Sequence, residues 1–124
     1  MKAFLAASLF TLFSVAPTSA QFMDINSLVA GIGGIDFLKA VERIDSAPDV
    51  RVVRLSTLAG AEAAQDRLEE AVAGKPRDIN YLRGSILLNP IAVSAIRNEG
   101  VHVGQIVTLL VSNDGAAVLF ADDL

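Results

Sequence analysis

The chain contains no cysteine and no tryptophan, and only one histidine and one tyrosine. Without thiols there can be no disulfide, no zinc–thiolate site, no thiol redox chemistry and no cysteine nucleophile. With a single histidine, a Ser-His-Asp triad would have to pass through His102, and a zinc site would have to recruit carboxylates from afar. The scarcity of aromatic residues argues against stacking platforms for sugars or single-stranded nucleic acid. No N-x-[ST] glycosylation site occurs. Positive charge is also short: the formal net charge is −4. An acidic chain does not attract nucleic acid or anionic membranes by bulk electrostatics.

The one long uncharged apolar run comes first. Met1-Lys2 is a short positive segment, Ala3 to Val15 carries no charge, Pro17 breaks the helix, and Thr18-Ser19-Ala20 supplies small residues. That order is the pattern of a cleaved secretory signal peptide, with the cut expected after Ala20. The run is shorter than the roughly 20 apolar residues that span a bilayer. No cysteine follows it to carry a lipid, and no later stretch is long and apolar enough to be a stable membrane anchor. Removal of residues 1–20 leaves 104 residues with nine basic and fourteen acidic side chains, a formal charge of −5. The expected location is secreted, or periplasmic if the source is bacterial. The lack of disulfides and glycosylation sites favours the bacterial case.

The remaining chain reads as one domain. Residues 21–34 are apolar and glycine-rich and read as a flexible arm, with room for a short helix begun by Asp24 or Asn26. The domain proper is expected over 35–124. A helix is expected from Ile35 to about Ser46, with Phe37, Ala40, Val41 and Ile44 as its apolar stripe and Pro48 as its stop. Val50 to Leu55 reads as a strand. Arg51 and Arg54 fall on its opposite faces, which places it at a sheet edge. Gly60 to Ala73 is an amphipathic helix closed by Gly74. Asp78 is expected to cap the next helix, with Ile79, Leu82 and Ile86 inward. Asn89-Pro90 opens another, Asn89 as cap and Pro90 at the first helical position, and Gly100 ends it. Leu88 and Val93 have the spacing of a hydrophobic staple. The tail reads as a β-hairpin, Gln105–Val111 and Ala116–Ala121, joined by Ser112-Asn113-Asp114-Gly115. The expected fold class is therefore α+β: two layers, a small antiparallel sheet of about three strands with a C-terminal β-hairpin, packed by three to four helices.

The motifs of catalysis are incomplete. Gly31, Gly33 and Gly34 are no dinucleotide fingerprint, because Asp36 stands where the last glycine belongs and no strand precedes them. Gly84-Ser85 lacks the second glycine of a nucleophile elbow. Asn113-Asp114-Gly115 lacks the acid spacing of a calcium loop. His102 reads as a turn or strand-start residue. No catalytic residue, cofactor or metal ligand is assigned.

The last two strands stand out. Val107, Leu109 and Val111 make one apolar row and Ile106, Thr108 and Leu110 a second that is nearly as apolar. Ala117 and Leu119 alternate with Val118 and Phe120. A sheet with one dry face usually alternates to polar on the other. Here both faces need cover, from the N-terminal arm (Phe22, Met23, Leu28, Val29), from a second copy, or from another protein or an apolar ligand. Ile106, Thr108, Leu110, Val118 and Phe120 are thus the candidate interaction surface. The expected function is that of a non-enzymatic interaction module with a protein partner or self-association. The alternatives are a carrier of an apolar small molecule and a small hydrolase using carboxylates. On this reading Leu109→Asp or Val107→Asp unfolds the protein, whereas Thr108→Asp spares folding and weakens binding.

Overall fold

The computed structural model describes residues 24–124, so the expected leader and its expected cleavage point, with Phe22 and Met23, lie outside the described residues. Asp24 starts the first helix, α1 (Ile25–Gly31): its carboxylate accepts from the Asn26 N–H at 3.0 Å. Ile25 and Leu28 are buried and Val29 packs against the core. The short helix allowed for in the arm is present.

Helix α2 (Ile35–Ile44) buries Phe37, Val41 and Ile44, the stripe read from their spacing. Strand β1 (Val50–Arg54) passes into a tight helical turn, Leu55–Thr57. Helix α3 (Ala61–Ala73) follows Gly60, whose φ of 80° a side chain would strain. Helix α4 (Pro76–Leu87) starts earlier than expected. Pro76 takes the first turn, where a missing N–H breaks no helical bond, so Asp78 lies inside that turn rather than at the cap. Helix α5 (Pro90–Glu99) has the expected limits: Asn89 Oδ1 accepts from the Ile91 N–H at 3.0 Å, and Gly100 ends it at φ 75°. The expected staple buries little of Leu88, which stays 71% exposed. A second tight turn, Val103–Gln105, leads into β2 (Ile106–Val111) and β3 (Ala117–Ala121).

β3 lies in the middle of the sheet, in the order β1-β3-β2. β2 and β3 form the expected antiparallel hairpin, closed by the Ser112 N–H on the Ala116 carbonyl at 2.9 Å. β1 is an edge strand, as its two arginines indicate, but it runs parallel to β3, with Val52 opposite Leu119. The sheet is therefore mixed rather than antiparallel, and among the described residues five helices rather than three or four surround it within an α+β architecture. The cause is the path between the strands. α3, α4 and α5 bring the chain back to the end of the sheet it left, where Arg54 Nη2 donates to the Glu99 carbonyl at 2.5 Å. β2 starts from that end and runs opposite to β1, so the hairpin then sends β3 parallel to β1.

All five residues of β3 are buried. Ala117, Leu119 and Ala121 form one row; Val118 and Phe120 form the other. Burial of Leu119 and Phe120 contributes on the order of 1.5–3 kcal/mol each. Helices α2 and α4 pack on β2, α5 packs on β1, and α1 packs on α3.

Candidate interaction surface

The structure buries the surface expected on the sheet. Ile106 and Phe120 are fully enclosed, Thr108 and Val118 nearly so, and Leu110 is half-buried. Nor do the five share a face. A register shift between Ile106 and Thr108 pairs Ile106 with Ala121, on the Leu109–Leu119 row, while Thr108 pairs with Phe120. A bulge moves every preceding side chain to the other face, which simple alternation cannot reveal. The chain itself covers both faces of the strand, so Ile106, Thr108, Val118 and Phe120 are buried within the fold, and Leu110 packs at the margin of the core.

The exposed apolar surface lies elsewhere, on a ridge running along α4 into α5. Ile79, Leu82 and Ile86 turn inward, so residues on the opposite side of α4 face water. These are Tyr81 (46% exposed), Leu87 (59%) and Leu88 (71%), and the line continues to Ile91 (46%) on the first turn of α5. Gly84 lies among them, also exposed. The fifth large exposed apolar side chain among the described residues, Ile35, stands apart at the start of α2. In the sequence the ridge is masked by the staple spacing of Leu88 and Val93, which assigns Leu88 a packed position. The signal was there: Tyr81, Gly84, Leu87 or Leu88, and Ile91 recur every three or four residues opposite the inward stripe.

The corner that carries Leu87, Leu88 and Ile91 is held firmly. Asn89 is buried between α4 and α5. Its Nδ2 donates to the Ile44 carbonyl at 2.8 Å and to the Ala47 carbonyl at 3.0 Å, while its Oδ1 caps α5. One side chain thus joins the α4–α5 corner to the end of α2. Arg83 Nε adds a bond from α4 to the Ile106 carbonyl, 3.1 Å away.

The polar clusters have structural tasks. Asp123 accepts from the Ser56 N–H at 2.9 Å and the Ser56 hydroxyl at 2.6 Å, and lies 3.9 Å from Arg54. Partial burial pushes its carboxyl up, but the two Ser56 bonds and the Arg54 charge outweigh that and hold it below the usual range. Asp114 is also held low, first by the Ser112 hydroxyl and then by the Ala116 N–H, within the hairpin turn. His102 Nδ1 accepts from the Gly104 N–H at 3.0 Å, and Gln105 Oε1 accepts from the His102 N–H at 2.8 Å. The imidazole thus caps the turn before β2, as a turn or strand-start residue does. Among the described residues no group of three or more His, Asp or Glu side chains is placed to hold a metal ion. No described helix is long and apolar enough to cross a membrane.

Among the described residues, three clefts are of ligand size, with volumes of about 410, 370 and 310 Å³, and the second has the most aliphatic wall. It lies between β1 and α5, has a volume of about 370 Å³, and is lined by Val50, Val52, Val53, Ala95 and Val118 with Arg51, Asn98 and Glu99 at its polar side. No protein-family model matches the chain, and no match to it was found among curated proteins or solved structures.

Proposed function

We propose that this chain is an exported, non-enzymatic interaction module, processed after Ala20, that acts through the α4–α5 ridge rather than through its sheet. One observation carries the reading: Tyr81, Leu87, Leu88 and Ile91 are all exposed along the outer side of α4 and the first turn of α5, on a corner fixed by Asn89. Scattered exposed apolar residues are ordinary, whereas several large ones grouped on a rigid element mark a protein-binding surface. The apolar run at 3–15 with small residues at 18–20 supports export. A photo-crosslinking residue placed at Leu88 in the native host tests the surface. Cross-links to protein are expected at 88 and not at Glu62 on α3. Equal yields at both positions would remove the ridge from consideration. Mass spectrometry of the recovered chain checks the loss of residues 1–20.

The β1–α5 cleft favours a second reading, carriage of an apolar small molecule. Its volume of about 370 Å³ falls within the range of small-molecule pockets, and its walls are mostly aliphatic. Native mass spectrometry after gentle purification distinguishes the two. An added mass of a few hundred daltons, lost in Ala95→Trp, supports carriage; a bare chain speaks against it.

A further inference from the structure

We propose that the occupant of the ridge is a second copy of this chain, with two α4 helices crossing antiparallel about Gly84; this rests on the ridge being an interaction surface. Gly84 is the first reason. A glycine inside a helix costs about 1 kcal/mol relative to alanine. Among the described residues, a Cβ built at Gly84 meets nothing within 4 Å beyond its own helix backbone, so no described contact calls for a glycine there. Its use is on the outer side, where it lets another backbone come close.

The second reason is self-complementarity. A two-fold axis through Gly84 sets Tyr81 of one copy beside Leu87 of the other. An aromatic ring then meets an aliphatic side chain twice, once on each side of the axis. This is the reciprocal pattern of an isologous dimer.

Charge is the third. One end of the ridge carries Arg77, at the N-terminal turn of α4, and it is exposed. The other end adjoins the Ile44–Ala47 turn, to which Asn89 is bonded, and that turn carries the exposed Asp45. Antiparallel packing brings the basic end of each copy to the acidic end of the other. It also opposes the two helix dipoles. Tyr81, Gly84, Leu87, Leu88 and Ile91 are all uncharged, so two acidic molecules can meet there without burying a carboxylate.

Sedimentation velocity of the protein purified from its host, across a concentration series, tests this. A reversible monomer–dimer equilibrium is expected. Gly84→Leu should weaken dimerisation at least tenfold. It should also raise the melting temperature of the dilute monomer, because the new side chain has space and a better helix propensity. Leu88→Asp should weaken the dimer similarly without unfolding the chain, which circular dichroism checks. Arg77→Glu should weaken it, and adding Asp45→Arg should restore it. A monomer at every concentration would overturn the proposal, as would a dimer indifferent to both Gly84→Leu and Leu88→Asp. A monomer that still cross-links to other proteins through position 88 would overturn self-association but leave the ridge as an interaction surface. A monomer with no ridge-specific cross-link would overturn both.

Discussion

Asn89 offers the sharpest test of how this fold is held. Its amide makes three bonds: Oδ1 caps α5 at Ile91, and Nδ2 reaches the carbonyls of Ile44 and Ala47. Asn89→Ala removes the cap, worth about 1 kcal/mol. It also leaves the Ala47 carbonyl without its donor, while the Ile44 carbonyl keeps the Ala47 N–H at 3.3 Å. At about 1 kcal/mol for the orphaned carbonyl, the lower end of such penalties, the total is about 2 kcal/mol. For a domain of this size that corresponds to a fall in Tm of roughly 8–10 °C. Urea unfolding followed by circular dichroism is the assay, with an unchanged slope against denaturant confirming that only stability has moved. Asn89→Asp separates the two roles. It keeps the cap and gains from the α5 dipole, but turns a carboxylate toward two carbonyl oxygens. If the amide donors matter, Asp is at least as destabilising as Ala near neutral pH. If Asp matches the wild type, Asn89 is only a cap, and the link between α2 and the α4–α5 corner is wrong.

Three other perturbations follow from the same structure. Asp123 is held below its usual pKa, so the stability it adds is full above the unfolded value of about 3.9 and is lost as pH falls through the lower folded value. Asp123→Asn should therefore lower stability at neutral pH and flatten the acid limb of a stability–pH profile; a variant whose acid limb matches the wild type would dismiss the Ser56–Asp123 clamp. Thr108→Asp, tolerable if Thr108 lay on a free face, should instead prevent folding, since an unpaired charge at a nearly enclosed position costs several kcal/mol; a well-dispersed amide spectrum for this variant would show that the face is open after all. Gly115→Ala should cost about 1–2 kcal/mol, because φ is 92° there and a Cβ would lie 3.4 Å from Pro48 Cδ, and thermal melts that do not shift would contradict the turn geometry.

Local chemistry made much of this fold readable. Asn89, Pro90 and Gly100 bound α5 because caps act within one turn and need no tertiary information. The inward stripes of α2 and α4, the hairpin at Gly115 and the edge position of β1 follow equally short-range rules. The misreadings are all non-local or involve competing signals. Pro76 and Asp78 both suit a helix start, and proline prevailed in setting the first turn. The direction of β1 depends on how three helices return the chain, which no window of residues contains. The bulge after Ile106 reassigned its face. The surface followed from that error: apolar alternation shows that a face is dry but not what dries it. The ridge had a visible spacing, but spacing alone does not say that Leu88 stays in water.

The placement of β3 has a consequence for the order of events. Its residues 117–121 come after every other element in this sequence, yet they form the strand on which both neighbours depend. β1 pairs with residues 67 positions further along, Val50 with Ala117. Until those residues are free to dock, β1 and β2 have no shared partner, and no partial sheet can form between them. Closure of the sheet thus waits on residues 117–121, and removing them would dismantle the sheet from its middle rather than trim an edge.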